Sequence, residues 1–194
     1  MICAIVLAAG RSRRMGAQKL VLPFAGSTVV ARVVDAFLGA SVDTVVVVIR
    51  ADDTQIRAAL AGRRLVFVEN PDGTGDMLSS VRCGLRALPS AAETVVVAPG
   101  DQPSLEPGLI RQMLSAFRAC GRGILVPVHQ GRRGHPLVFG ARFREELLTS
   151  HEGTGLRGLL QSHPAEIIEW PTPEAAVLED LDTPKDYQRL VRQS

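Results

Sequence analysis

The sequence predicts an α/β fold, three layers deep around a mostly parallel central sheet. Residues 2–8, 44–49, 65–69, 94–98 and 124–128 are short runs rich in Val and Ile and apolar on both faces. Amphipathic stretches near 28–40, 53–61, 77–88 and 106–119 separate them. The two kinds of segment alternate as β-α-β. A strand that is apolar on both sides needs helices covering both faces of its sheet. Repeated crossovers of this kind imply parallel neighbours joined right-handedly.

Local signals place the ends of these elements. Thr28 stands where it can cap the first helix, and Asp52 or Asp53 the second. Glu106-Pro107 puts proline in the first turn of the fourth helix, where its missing N–H costs little. After residue 128 the rhythm changes. His129 to Pro136 is polar and turn-rich; a short strand, Leu137-Val138-Phe139, follows. Helices near 142–149 and 155–162, a strand at 165–170 and a helix at 184–192 complete the reading. With no internal repeat, low-complexity tract or linker, the second half reads as an elaboration of one domain.

Composition narrows the class. A chain of 194 residues, 46% of them hydrophobic, supports one substantial core. A net charge of +2 argues against a protein built to coat nucleic acid. No apolar run reaches the length of a membrane span. The opening strand lacks the basic lead of a signal peptide. Cys3, Cys83 and Cys120 form no CxxC pair, so neither a disulfide framework nor a zinc site is expected. They read as small buried hydrophobes in a reducing cytoplasm.

The first strand runs into Leu7-Ala8-Ala9-Gly10-Arg11-Ser12-Arg13-Arg14-Met15-Gly16-Ala17-Gln18-Lys19. Ligands of open α/β sheets gather at the carboxyl ends of strands. Gly10 and Gly16 would let the backbone turn and approach a ligand. Arg11, Arg13, Arg14 and Lys19 supply charge for phosphates. The plainer alternative is a solvated basic loop. Lys19 lies three residues beyond Gly16, which excludes a Walker A loop; the lack of GxGxxG disfavours a dinucleotide-binding domain.

Other candidates lie further on. Asp101 follows the strand at 94–98 and a Pro-Gly turn, so its carboxylate projects to the same edge; alone it would pass for a turn aspartate. Asp182 offers a second carboxylate, or else a cap for the last helix. Asn70 and residues 75–80 follow the third strand, where Ser79 and Ser80 either bond a base edge or open the next helix. Arg133 to Pro136 either hold a polar ligand or make a tight surface turn.

The glycine-rich loop resembles the signature of MobA-like nucleotidyltransferases, closest to the MocA-type molybdenum cofactor cytidylyltransferases. The resemblance covers nearly the whole chain through motifs in the same order: Leu7 to Lys19, Gly75 to Ser80, Pro99 to Pro103, Arg133 to Pro136 and Asp180 to Tyr187. It implies a Rossmann-like fold of the nucleotide-diphospho-sugar transferase type. Residues 1–194 would form one domain, with 1–104 mainly the NTP-binding half and 105–194 mainly the acceptor-binding half. It places Mg²⁺ (Mn²⁺ as a substitute) on Asp101 and Asp182, and gives Asp180 a structural role. Nucleotide binding would fall to Leu7, Ala8, Ala9, Gly10, Arg11, Ser12, Arg14, Lys19, Asn70, Gly75, Ser79 and Ser80. Acceptor binding would fall to Arg133, Gly134, His135, Pro136 and Arg157.

The implied reaction is attack of an acceptor phosphate on the α-phosphorus of a nucleoside triphosphate, with pyrophosphate leaving. An ionised phosphate is already nucleophilic, so alignment and charge neutralisation by Mg²⁺, Arg14, Lys19 and Asp101 would carry catalysis. Leu-Ala-Ala-Gly goes with CTP where related guanylyltransferases show Leu-Ala-Gly-Gly, so Ala9 leans toward cytosine. The implied acceptor is molybdopterin carrying its metal. A molybdoenzyme would receive the product, with no nucleic acid or membrane partner, in the cytoplasm. One departure concerns the acceptor: Gly153 stands where the family often has an acid, with Glu152 beside it. Alternatives are a guanylyltransferase, transfer to another phosphorylated small molecule, or a non-catalytic molybdopterin carrier. The joint presence of Lys19, Asp101 and Asp182 favours catalysis.

Overall fold

A computed structural model describes residues 1–10, 15, 18–72 and 76–193. Strand β1 (Ile2–Leu7) lies between β4 (Thr44–Arg50) and β6 (Thr94–Pro99), parallel to both. Strand β5 (Val66–Asn70) extends the sheet parallel to β4. On the other side, β9 (Leu137–Gly140) runs antiparallel to both β6 and β7 (Ile124–His129). Strand β10 (Ile167–Pro171) closes that edge parallel to β7. The order is β10-β7-β9-β6-β1-β4-β5, with β8 (Arg132–Arg133) attached to β7. The mostly parallel α/β class and the nucleotide-diphospho-sugar transferase type of fold are as expected.

Two cores, one per sheet face, follow from the alternation of side chains along each strand. In β1, Ala4 and Val6 enter one core while Cys3 and Ile5 enter the other. The first core packs against α1 (Val29–Leu38), α2 (Thr54–Ala59) and α4 (Pro107–Cys120). The second packs against α3 (Met77–Ala87), α5 (Arg144–Thr149) and α6 (Leu156–Ser162). Each large aliphatic side chain so enclosed contributes about 1.5–3 kcal/mol. Helix α7 (Pro184–Gln193) returns to the first core through Leu190.

Helix ends refine the reading. Asp53 caps α2, accepting from the Ile56 amide at 3.1 Å, whereas Asp52 precedes it with a positive φ. Thr28 occupies the first position before α1, but its hydroxyl makes no capping bond. Pro107 opens α4 as expected. The hairpin of β2 (Pro23–Phe24) and β3 (Ser27–Thr28), which follows a 3-10 turn at Lys19–Val21, has no counterpart in the sequence reading. Of the cysteines, Cys3 is buried as expected, while Cys83 and Cys120 are only half-buried.

Candidate active site

The carboxyl ends of β1 and β6 meet at one edge. There the Gly100 amide donates to the Leu7 carbonyl at 2.9 Å. A Cβ on Gly100 would press on that carbonyl at 3.0 Å, so glycine permits the close approach that delivers Asp101. The Asp101 carbonyl accepts from the Leu181 amide at 3.0 Å, which brings Asp182 alongside. Lys19 Nζ joins the two acids, 2.5 Å from Asp101 Oδ2 and 3.0 Å from Asp182 Oδ1. Burial pulls the Lys19 pKa down, and the charges and bonds of Asp101 and Asp182 more than offset this, so the ammonium stays charged.

The start of α7 is capped from the two residues Thr183 and Asp186. Thr183 and Asp186 make the reciprocal capping bonds: the Thr183 amide and hydroxyl donate to Asp186 Oδ2, and the Asp186 amide donates to Thr183 Oγ1. Asp180 accepts from Gln102 Nε2 at 2.9 Å. The fully buried Gln102 also donates to the Val177 carbonyl, welding the segment before α7 to the turn after β6. Burial first, then the charge of Asp101, push the Asp180 carboxyl up. Asp101 Oδ1 is buried and has no hydrogen-bond partner among the described residues. An unmet oxygen in a carboxylate pair suits a hard cation such as Mg²⁺ or Mn²⁺.

A cavity of about 190 Å³ opens on Asp101 and Lys19, lined also by Leu7, Ala9, Gly10 and Ser80 among others; Asp182 lies outside its lining. Six expected residues therefore meet at one place. Ala8 does not join them; its side chain is buried in the first core and its amide donates to the Val48 carbonyl. Gly10 adopts no positive φ, and a Cβ there would meet none of the described residues within 4 Å, so among them neither a turn nor a close approach requires glycine. Asn70 is buried, and its Nδ2 donates to Ser79 Oγ at 2.7 Å and to Ser80 Oγ at 2.9 Å. Of the two serines, Ser80 lines the cavity and Ser79 does not. Asp76 caps α3, accepting from the Leu78 amide, and the Ser79 hydroxyl donates to the Asp76 carbonyl. Arg11, Ser12, Arg13, Arg14, Gly16 and Gly75 lie outside the described residues.

A second cavity of about 790 Å³ adjoins the first, with Met77 lining both. Arg133, Gly134, His135 and Arg157 lie on its wall, whereas Pro136 is buried. A Cβ on Gly134 would overlap the Val177 carbonyl, which accepts from the His135 amide at 2.8 Å. Burial pulls the His135 pKa down against the opposing charges of Asp180 and Asp101, so its imidazole is neutral at pH 7. Arg133 pairs with Glu169 at 2.8 Å. The departure at Glu152-Gly153 has a structural counterpart: Arg82 of α3 donates to the Leu147 and Ser150 carbonyls and to Glu152 Oε1. It thereby ties α3 to the wall formed by Gly153, Thr154 and Gly155.

Sequence reasoning missed Met77, Gln102 and Arg82, although the first two sit inside quoted motifs. It also missed Gln18, whose Nε2 donates to the buried Asp53 at 2.7 Å and braces the chain entering Lys19. Partners this distant leave no local pattern.

A sequence profile for the MobA-like NTP transferase domain matches residues 4–167. The chain belongs to that family. This MobA-like nucleotidyltransferase is 28% identical to the molybdenum cofactor cytidylyltransferase of Escherichia coli, over 96% of the chain and 93% of the relative. It is also 29% identical to a protein named nicotine blue oxidoreductase from Paenarthrobacter nicotinovorans, over 98% of the chain and 96% of the relative. Among solved structures, Rv0371c of Mycobacterium tuberculosis superposes with a TM-score of 0.84 at 30% identity, covering 99% of this chain and 98% of that one. A manganese complex of the same protein matches with a TM-score of 0.79 at 29% identity, covering 100% and 99%. Among the described residues of this MobA-like chain, no helix is long and apolar enough to cross a membrane.

Proposed function

We propose that this enzyme transfers CMP from CTP to the terminal phosphate of molybdenum-bearing molybdopterin, releasing pyrophosphate. The observation that carries this reading is the convergence of Lys19, Asp101 and Asp182, the first two lining the smaller cavity. Ala9 on that cavity and the likeness to a cytidylyltransferase support CTP. The larger cavity, with Arg133 and Arg157 on its wall, suits an anionic acceptor. On this reading residues 1–104 mainly bind nucleotide and 105–194 mainly bind acceptor.

Asp101 and Asp182 would hold Mg²⁺, which supplies charge neutralisation on the phosphates. Phosphate oxygens and water would supply its remaining ligands. Lys19 and, from the sequence, Arg14 add positive charge where the triphosphate would lie. Met77, apolar and exposed, lines both cavities and would offer an apolar surface between donor and acceptor. The acceptor phosphate is its own nucleophile, so the neutral His135 need not take a proton.

Pyrophosphate release with each nucleoside triphosphate, Mg²⁺ and purified molybdopterin tests the reading. Turnover with CTP and molybdopterin is expected. Turnover with only another pair would replace the base or the acceptor assigned here, and reduction of nicotine blue without pyrophosphate would replace the chemistry.

A further inference from the structure

We propose that Lys19 is the stand-in for the divalent cation: in the metal-free protein its ammonium joins Asp101 to Asp182, and the arriving cation evicts it. This rests on the metal assignment made above. Asp101 and Lys19 side chains are only 14% and 13% exposed. The Asp182 side chain is more open, at 48% exposed; two carboxylates brought this close repel unless a cation lies between them. Lys19 supplies it, through Asp101 Oδ2 and Asp182 Oδ1. Those are the oxygens through which the acids share one neighbour, so an ion bridging the acids competes for the same space. An ammonium and a divalent ion a few ångströms apart repel strongly when water is scarce.

Lysine is suited to leaving, with a compact charge on a flexible stem. Lys19 also lines the cavity where the triphosphate would sit. Triphosphate oxygens there would receive the displaced ammonium. Cation alone should bind weakly, and cation and nucleotide should favour one another.

The chain has only two lysines, Lys19 and the exposed Lys185, which makes an internal reference. Wild-type protein is acetylated briefly and each lysine's label measured by mass spectrometry, while Mn²⁺ binding is followed by its electron paramagnetic resonance signal. Metal-free protein should label Lys19 far more slowly than Lys185, and saturating Mn²⁺ should raise the ratio roughly tenfold. In parallel, Lys19→Met should bind Mn²⁺ alone about tenfold more tightly than wild type. Removing a nearby charge would do that by repulsion alone; only eviction also exposes the Lys19 amine. If Mn²⁺ binds through Asp101, lost in Asp101→Asn, yet Lys19 stays protected, eviction is overturned while the metal assignment stands. If neither protein binds Mn²⁺, with or without a non-hydrolysable CTP analogue, the metal assignment fails and eviction falls with it. The wild-type labelling decides the matter even where Lys19→Met does not fold.

Discussion

Asp101 does two things with different atoms. Its carbonyl fixes Leu181, and its carboxylate meets Lys19. Asp101→Asn keeps the shape and the carbonyl but removes the charge. Transfer should fall at least about a hundredfold, as when a main electrostatic contact is lost, with Tm within about 4 °C of wild type. Pyrophosphate release and thermal melting check both parts; full activity would remove Asp101 from the site. Asp53 offers a pH test. Burial pulls its carboxyl up, but bonds from Gln18, the Ile56 amide and Arg50 more than offset this and hold its pKa below the ordinary 3.8. A depressed carboxyl stabilises the fold above its unfolded pKa and loses that contribution as pH falls through the folded one. Asp53→Asn should therefore cost about 1–2 kcal/mol at pH 7, a deficit that shrinks once pH falls below 3.8. Urea unfolding from pH 7 downward measures it, and a deficit that grows with acid would contradict the assignment. Lys19, Asp101 and Asp182 were legible because motif order tied them together. Asp53 was legible only as a cap, since Gln18 lies 35 residues away.

Helix α3 is the element that both cavities share. Its first turn carries Met77 and Ser80, and a turn later Arg82 grips the segment from Leu147 to Glu152. Arg82→Met keeps the stem and removes three donated bonds. The acceptor KM should rise about tenfold while the CTP KM stays within about twofold. Equal rises in both would show that Arg82 serves the nucleotide as well. Elements of this size were mostly legible: five strands announce themselves by being apolar on both faces, and α4 by its proline. The two-residue strands β2, β3 and β8 were not, because two residues carry no period. Nor did the sequence say that Thr183 and Asp186, rather than Asp182, would start α7.

The proposed nucleotide and acceptor halves share one sheet. Strand β6 from the first pairs with β9 from the second, and both cores draw side chains from each. Unfolding should be a single cooperative event, with far-ultraviolet circular dichroism and Trp170 fluorescence giving coincident urea curves. Two separated transitions would divide the chain into two domains. The order of the sheet was the least legible feature. Nothing in Leu137-Val138-Phe139 reveals that it inserts between β6 and β7, or that it runs backwards, since neighbours and direction are chosen by distant residues.

That reversed strand has a consequence for descent. A parallel strand sends its trailing loop to the ligand edge, but β9 presents its leading loop there, Gly134-His135-Pro136. The segment facing the larger cavity is thus covalently remote from the loops after β1 and β6 that surround Lys19 and Asp101. Its Gly134 and His135 nonetheless rest on the Val177 carbonyl, which also accepts from Gln102 of the turn after β6, so changes at those two positions reach the turn that carries Asp101. On the proposed reading, lineages built on this frame would change what is modified at Arg133 and Arg157, on the wall of the larger cavity, while Gly134 stays fixed between them.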